Sequence, residues 1–304
     1  MLTAYAGPIV AYGDMGAGYT DPDKAPSLFW GGSGLFDPRM GYGQQRDGTI
    51  GFAGGSTLIP VIDAVPSTLT TTAIAAAQVP VAGTAMTLVS TTGAGITVLS
   101  AALKVYPSGN TVPVGALAID GAPGVVAFGS ASVATGNTKI SLYDPTKALA
   151  RNIQIASVGN DTGGTFLVSG YDIYGYPMSE RITGANAGTA TGTKAFKFVT
   201  SVVPAGTLSG SNVSVGQGDK YGFPLRVDSI GYVSIWFNNL QIASSATGTF
   251  TFADTTTATT TTGDVRGTYL VASASNATKR LQMFITPSIA NLGSNTGLFG
   301  VTQA

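Results

Sequence analysis

The chain has 304 residues with 42 Gly, 15 Pro and a single Glu, Glu180, so charged helix-lining residues are scarce and an all-β protein of one large or two ordinary domains is expected. It contains no His and no Cys, which excludes disulfides, Cys-based metal centres, and the Ser–His–Asp, Cys–His and HExxH schemes within this chain. Its 15 basic and 15 acidic side chains sum to zero, giving no electrostatic footprint for nucleic acid and little repulsion between copies.

Residues 1–60 read as an extended, Gly- and aromatic-rich N-terminal arm. Tyr12, Tyr19, Phe29, Trp30, Phe36, Tyr42 and Phe52 alternate with Gly and with the charges Asp14, Asp21, Asp23, Lys24, Asp37, Arg39, Arg46 and Asp47. No period of 2 or 3.6 residues runs through them, yet so many aromatics are foreign to a disordered linker. Packing of the arm on a neighbour is the expectation; a loop-rich lobe on its own domain is the alternative. Met1 to Ile9 lacks a basic stretch and is broken by Gly7 and Pro8, so a secretory signal is not expected. No run of 18 uninterrupted apolar residues occurs anywhere, so no membrane-spanning helix is expected either.

From Ser56 onward, short alternating runs recur every ten residues or so, the pattern of a sandwich, jelly-roll-like fold or barrel. Strands are predicted over Ala85–Val89, Gly95–Val105 and Val112–Ile119, with a turn at 107–110. Pro145 to Ala150 can form one helical turn, whereas Thr72–Gln78 is too short and β-branched at its flanks for a helix. Ile153, Ile155 and Val158 alternate before an Asn160–Gly164 turn, and Phe166 and Val168 alternate after it. Tyr174-Gly175-Tyr176-Pro177 turns the chain into a strand carrying Met178, Glu180 and Ile182 on one face. Phe196, Phe198, Thr200 and Val202 read as one more face, followed by Val213 and Val215. Val233–Phe237, Phe250–Phe252, Tyr269–Ala272 and Leu281–Ile285 complete the series. The Thr-rich run 255–262 fits an edge strand or a loop equally. These runs divide the chain into the arm, a first β part at 61–145, a β domain at 146–226, and a C-terminal β segment at 227–304 able to share a sheet with the others.

Candidate chemistry is sparse. Gly188-Thr189-Ala190-Thr191-Gly192-Thr193-Lys194 lacks both the four-residue spacing and the following helix of a phosphate loop. Asp21/Asp23 and Asp161/Asp172 are carboxylate pairs of the kind glycoside hydrolysis needs, but they sit at or beside turns, where Asp bonds its own backbone. Asn160-Asp161-Thr162 offers oxygen ligands without the alternating acidic spacing of a calcium loop. Glu180 shares a face with Met178 and Ile182, so it is expected buried beside a Lys or Arg from a neighbouring strand.

Several segments resemble virion structural proteins of tailed bacteriophages. They are Arg151–Ile155, Gly170–Gly175 with Met178-Ser179-Glu180, Lys194–Val202, Val213–Asp219 and Gly222–Leu225. Ala75–Pro80 with Thr84–Leu88 is similar to the segment that precedes this region in such proteins. The resemblance implies a β-rich, non-enzymatic particle component without cofactors, most often a decoration or cement protein on the outer capsid surface. Its implied partners are the major capsid protein and copies of itself, with neither nucleic acid nor membrane, assembled in the host cytoplasm. Contact residues are expected at Phe29, Trp30, Phe36, Tyr42 and Phe52, with Asp37 and Arg39 as polar partners. The alternative is a tail-associated receptor- or carbohydrate-binding protein using Tyr171, Tyr174 and Tyr176 as a sugar platform.

Overall fold

The computed structural model describes residues 61–89, 95–105, 110–123, 125–127, 139–141, 144–227, 233–242, 248–285 and 303–304. All belong to one compact unit, Pro60–Ala304. In chain order its strands are β1 (Ile62–Ala64), β2 (Thr70–Gln78), β3 (Ile96–Val98), β4 (Leu103–Val105), β5 (Asn110–Val112), β6 (Leu117–Ile119), β7 (Val125–Ala127) and β8 (Lys139–Ser141). After a 3-10 turn at Pro145–Lys147 follow β9 (Arg151–Asn160), β10 (Gly164–Tyr171), β11 (Pro177–Thr183), β12 (Asn186–Phe196), β13 (Phe198–Gly206) and β14 (Val213–Gly222). The last five are β15 (Val233–Phe237), β16 (Leu240–Ile242), β17 (Gly248–Thr251), β18 (Thr268–Val271) and β19 (Leu281–Ile285). The protein is all-β.

Two antiparallel sheets form a sandwich. One runs β12-β9-β14-β18-β17, with β2 also paired to β14; the other runs β11-β10-β13-β6-β3. Alternation decides which side chains meet between them. Ile153 and Ile155 of β9, Val213 and Val215 of β14 and Ala73–Ala75 of β2 face Phe166, Val168, Met178, Ile182, Val199, Val202 and Leu117 from the second sheet. A third sheet, β16-β15-β19-β1, encloses a second core. There Ile62, Ile235, Phe237, Leu281 and Met283 pack with Tyr221, Phe223, Tyr269 and Val271. Because β14 pairs with β9, β2 and β18, segments from 61–145, 146–226 and 227–304 meet in one sheet. A small third cluster joins the β4–β5 hairpin to Ala118 and Phe198.

Several local expectations change. Ala85–Val89 forms no ladder; Met86 N–H bonds Val202 O and Val89 N–H bonds Ile74 O as single contacts. The runs Gly95–Val105 and Val112–Ile119 each break in two, because β3 pairs with β6 while β4 pairs with β5. Thr70–Gln78 is a strand, its buried Ala73–Ala75 packing against the sandwich core. Phe196 and Phe198 do not share a face: the chain leaves one sheet and enters the other at Lys197, so Phe196 enters the main core and Phe198 the third cluster. The Thr-rich run is a loop. Asp254 accepts bonds from Thr256 N, Thr256 Oγ1 and Gly263 N, and a turn closes between Thr259 and Thr262.

Candidate functional site

The chemistry-bearing side chains of the described residues gather at three buried centres, each joining segments distant in sequence. The first surrounds Arg151, the opening residue of β9 and 0% exposed. Its guanidinium donates to Gly218 O, Ser67 O, Asp120 Oδ2 at 3.1 Å and Asp219 Oδ1 at 2.8 Å, and lies over the Tyr221 ring. Asp120 accepts Ser67 N–H on its other oxygen, and Asp219 accepts Ser275 N–H and the Tyr221 hydroxyl. Burial raises the Tyr221 phenol above its ordinary range, so it remains a donor.

Above this centre opens a cleft of about 550 Å³ lined by Asp63, Ser67, Asp120, Lys147 and Arg280, among others. Its carboxylates are already neutralised: Arg280 grips Asp63 through two bonds of 2.6 and 2.7 Å, and Arg151 holds Asp120. Next to it, Lys197 is wholly buried, its ammonium donating to Ile119 O and Leu149 O. Burial pulls its pKa down to about 7, against the attraction of Asp120.

The second centre closes the edge of the sandwich where β11 and β12 run as edge strands of opposite sheets. Glu180 is buried with Met178 and Ile182, as its place in the alternation predicts. Its carboxylate accepts Thr193 N–H at 2.6 Å and Lys194 N–H at 2.9 Å. The neighbouring basic residue is therefore Lys194, but the bonds run to its backbone and not to its ammonium. Lys194 Nζ donates instead to Ser179 O, Thr259 O and Gln303 O. Gly192 leaves room for the carboxylate, since a Cβ there would sit 2.9 Å from Glu180 Oε2. Burial raises the Glu180 pKa and lowers that of Lys194, and each charge opposes the other's shift.

The third centre is the buried pair Arg266–Asp172 at 2.6 Å. Asp172 also accepts Tyr174 N–H and Tyr176 N–H, so it does hold its own turn, as expected of Asp there. Asp264 lies alongside, accepting Ala195 N–H, Arg266 N–H and the Gln303 amide; burial raises its pKa. The tyrosines do not form a sugar platform. Tyr174 is buried, its hydroxyl bonded to Pro224 O and its ring under Arg266, while Tyr171 and Tyr176 pack half-buried against two different clusters.

Asp161 is buried at its turn, holding Ser209 N–H at 2.7 Å, while Asn160 accepts Thr162 N–H and Oγ1 within the turn. Among the described residues no group of three or more His, Cys, Asp or Glu could hold a metal. Gly188–Lys194 lies inside β12. Phe29, Trp30, Phe36, Asp37, Arg39, Tyr42 and Phe52, like Asp21 and Asp23, lie outside the described residues.

Sequence reading missed Arg151, Lys197, Arg266 and Gln303. The signal present was a lone cation inside an apolar stretch, as in Ala148-Leu149-Ala150-Arg151 and Ala195-Phe196-Lys197-Phe198-Val199. A cation placed so must bring its acceptors with it. What these centres do chemically is cross-link: their charges tie loops to strands, where a Cys-containing chain could use disulfides. Comparison with protein-family models, curated proteins and solved structures finds no match to this chain.

Proposed function

We propose that this chain is a non-enzymatic structural protein of a tailed-bacteriophage virion, a decoration or cement protein that binds the outer capsid surface and bridges capsid subunits. The observation that carries the reading is the use of buried charge. Arg151, Lys194 and Asp264 each reach chain segments remote in sequence and Glu180 ties its strand to the next, which suits a scaffold built to resist stress. The same stretch, residues 151–224, bears the resemblance to virion proteins and supplies β9–β14, three neighbouring strands of each sandwich sheet. Zero formal charge favours a protein that works docked among close neighbours. On this reading Phe29, Trp30, Phe36, Tyr42 and Phe52 anchor the arm on the capsid, with Asp37 and Arg39 pairing at its rim.

The test is cryo-electron microscopy of assembled particles, together with binding of purified protein to undecorated capsids. Density over the shell is expected, and deleting residues 1–55 should abolish capsid binding. Density confined to the tail would replace the proposal with a tail-protein reading. Full decoration by the truncated chain would remove the arm from it.

A further inference from the structure

Gln303 and Ala304 are held as a ligand is held. Gln303 is 1% exposed, and its partners run from Val265, 38 positions upstream, to Met178 across the bridge. It sits beside Met178 as a parallel bridge on the outer edge of β11. Its main-chain oxygen accepts from Lys194 Nζ and from Ser179 N–H, and Ala304 O accepts Ser179 Oγ at 2.8 Å. The side chain is read at both ends: Oε1 accepts Val265 N–H at 3.3 Å and Nε2 donates to Asp264 Oδ2 at 3.1 Å. Lys194 and Asp264 are themselves buried, 0% and 4% exposed. The contact works as strand addition at a sheet edge does, on the scale of one bridge: main-chain oxygens accept from Ser179 and Lys194, and one pocket reads the side chain. A Glu in that pocket would set a second carboxylate against Asp264, and a Leu would leave Val265 N–H without its acceptor.

We infer that the β11 edge is a docking slot for this Gln-bearing tail, and that in concentrated assemblies the tail of a second copy of the chain fills it. Every group of the slot belongs to β11, β12 or residues 259–265, so nothing next to the tail in sequence builds it. Residues 286–302, fully extended, reach about 55–60 Å, beyond the roughly 45 Å breadth of a compact unit of this length. Exchange preserves every bond named above, so own-chain and partner-chain docking differ only in linker and association terms. Local concentration decides between them. Copies that carry no net charge meet no long-range barrier to such packing. The inference stands apart from the virion reading, since it concerns only copies of this chain.

Because the chain has no Cys, engineered thiols report one contact without background. Full-length Ser179→Cys and Ala304→Cys variants are mixed at increasing concentration, oxidised under native conditions, and weighed by non-reducing mass spectrometry. The 179–304 heterodimer is expected to accumulate as concentration rises, and Gln303→Ala in the Ala304→Cys chain should lower its yield at least tenfold. A second variant carrying both Cys in one chain reports the slot itself. If that chain closes internally while mixtures never link, the tail docks only in its own chain and exchange is wrong. If neither link forms, the slot is wrong.

Discussion

Lys197 lies between Phe196 and Phe198, whose rings enter different clusters, and its ammonium is carried into the interior with them. Burial is the largest influence on it and Lys147 acts in the same direction, against the charge; together they outweigh Asp120 and Asp144, which favour it. An unfolded lysine titrates near 10.4, so between about pH 7 and 10 the unfolded chain holds the extra proton. Stability contributed by this site therefore rises with pH across that window and is smallest below it. Relative to Lys197→Met, the native chain should gain stability from pH 7 to 9.5 with a slope approaching about 1.4 kcal/mol per pH unit. Urea titrations at fixed ionic strength measure it, and parallel slopes would show that Lys197 does not titrate there. Arg151 is the opposite case, a cation fully compensated by Asp120 and Asp219. Arg151→Met leaves both carboxylates without their cation and should cost about 3–5 kcal/mol in the same assay.

At the scale of elements, β10 and β13 owe their fit to one missing Cβ. Their register shifts between Ser169 and Gly170, and a Cβ on Gly170 would collide with the Phe198 carbonyl. Gly170→Ala must push β13 away just where Phe198 and Val199 pair with β6, so a loss of about 3 kcal/mol or more is expected. A melting temperature within a degree of the native chain would refute that account. This crossing also marks where the sequence stops being legible. Strands such as Arg151–Asn160 and Leu281–Ile285 could be read because one face is apolar and the other is not. Phe196 to Val202 misleads because the chain changes sheets at Lys197, and a change of sheet carries no compositional mark. Glu180 was readable as buried, since its neighbours at i±2 are apolar. Its acceptor role was not, because backbone amides are present at nearly every position of any sequence. Gln303 was invisible for the same reason: a lone Gln becomes informative only once Asp264 and Val265 surround it.

For the whole described unit, the question is whether two cores mean two folding units. Each core takes side chains from the large sheet: Val213 and Val215 of β14 enter one, and Tyr221 of the same strand enters the other. Arg151 reinforces the join, reaching from β9 to the Ser67 loop and to Asp219, which in turn holds Ser275. A strand shared in this way cannot easily leave one core while keeping its place in the other, because β2 pairs with its Val213–Gln217 part, β18 with Lys220–Gly222, and β9 with both parts across a bulge. The prediction is a single cooperative unit. Native-state hydrogen exchange of the full chain should give β9, β14 and β19 the same opening free energy, with the same denaturant dependence. If β15 and β19 opened several kcal/mol more easily than β9, the third sheet would be an independent layer merely resting on the sandwich. Arg151→Met sharpens the comparison. Since Arg151 opens β9 of the first core and its guanidinium lies over Tyr221 of the second, the substitution should lower protection in both sheets together; a loss confined to one would place Arg151 in that core alone.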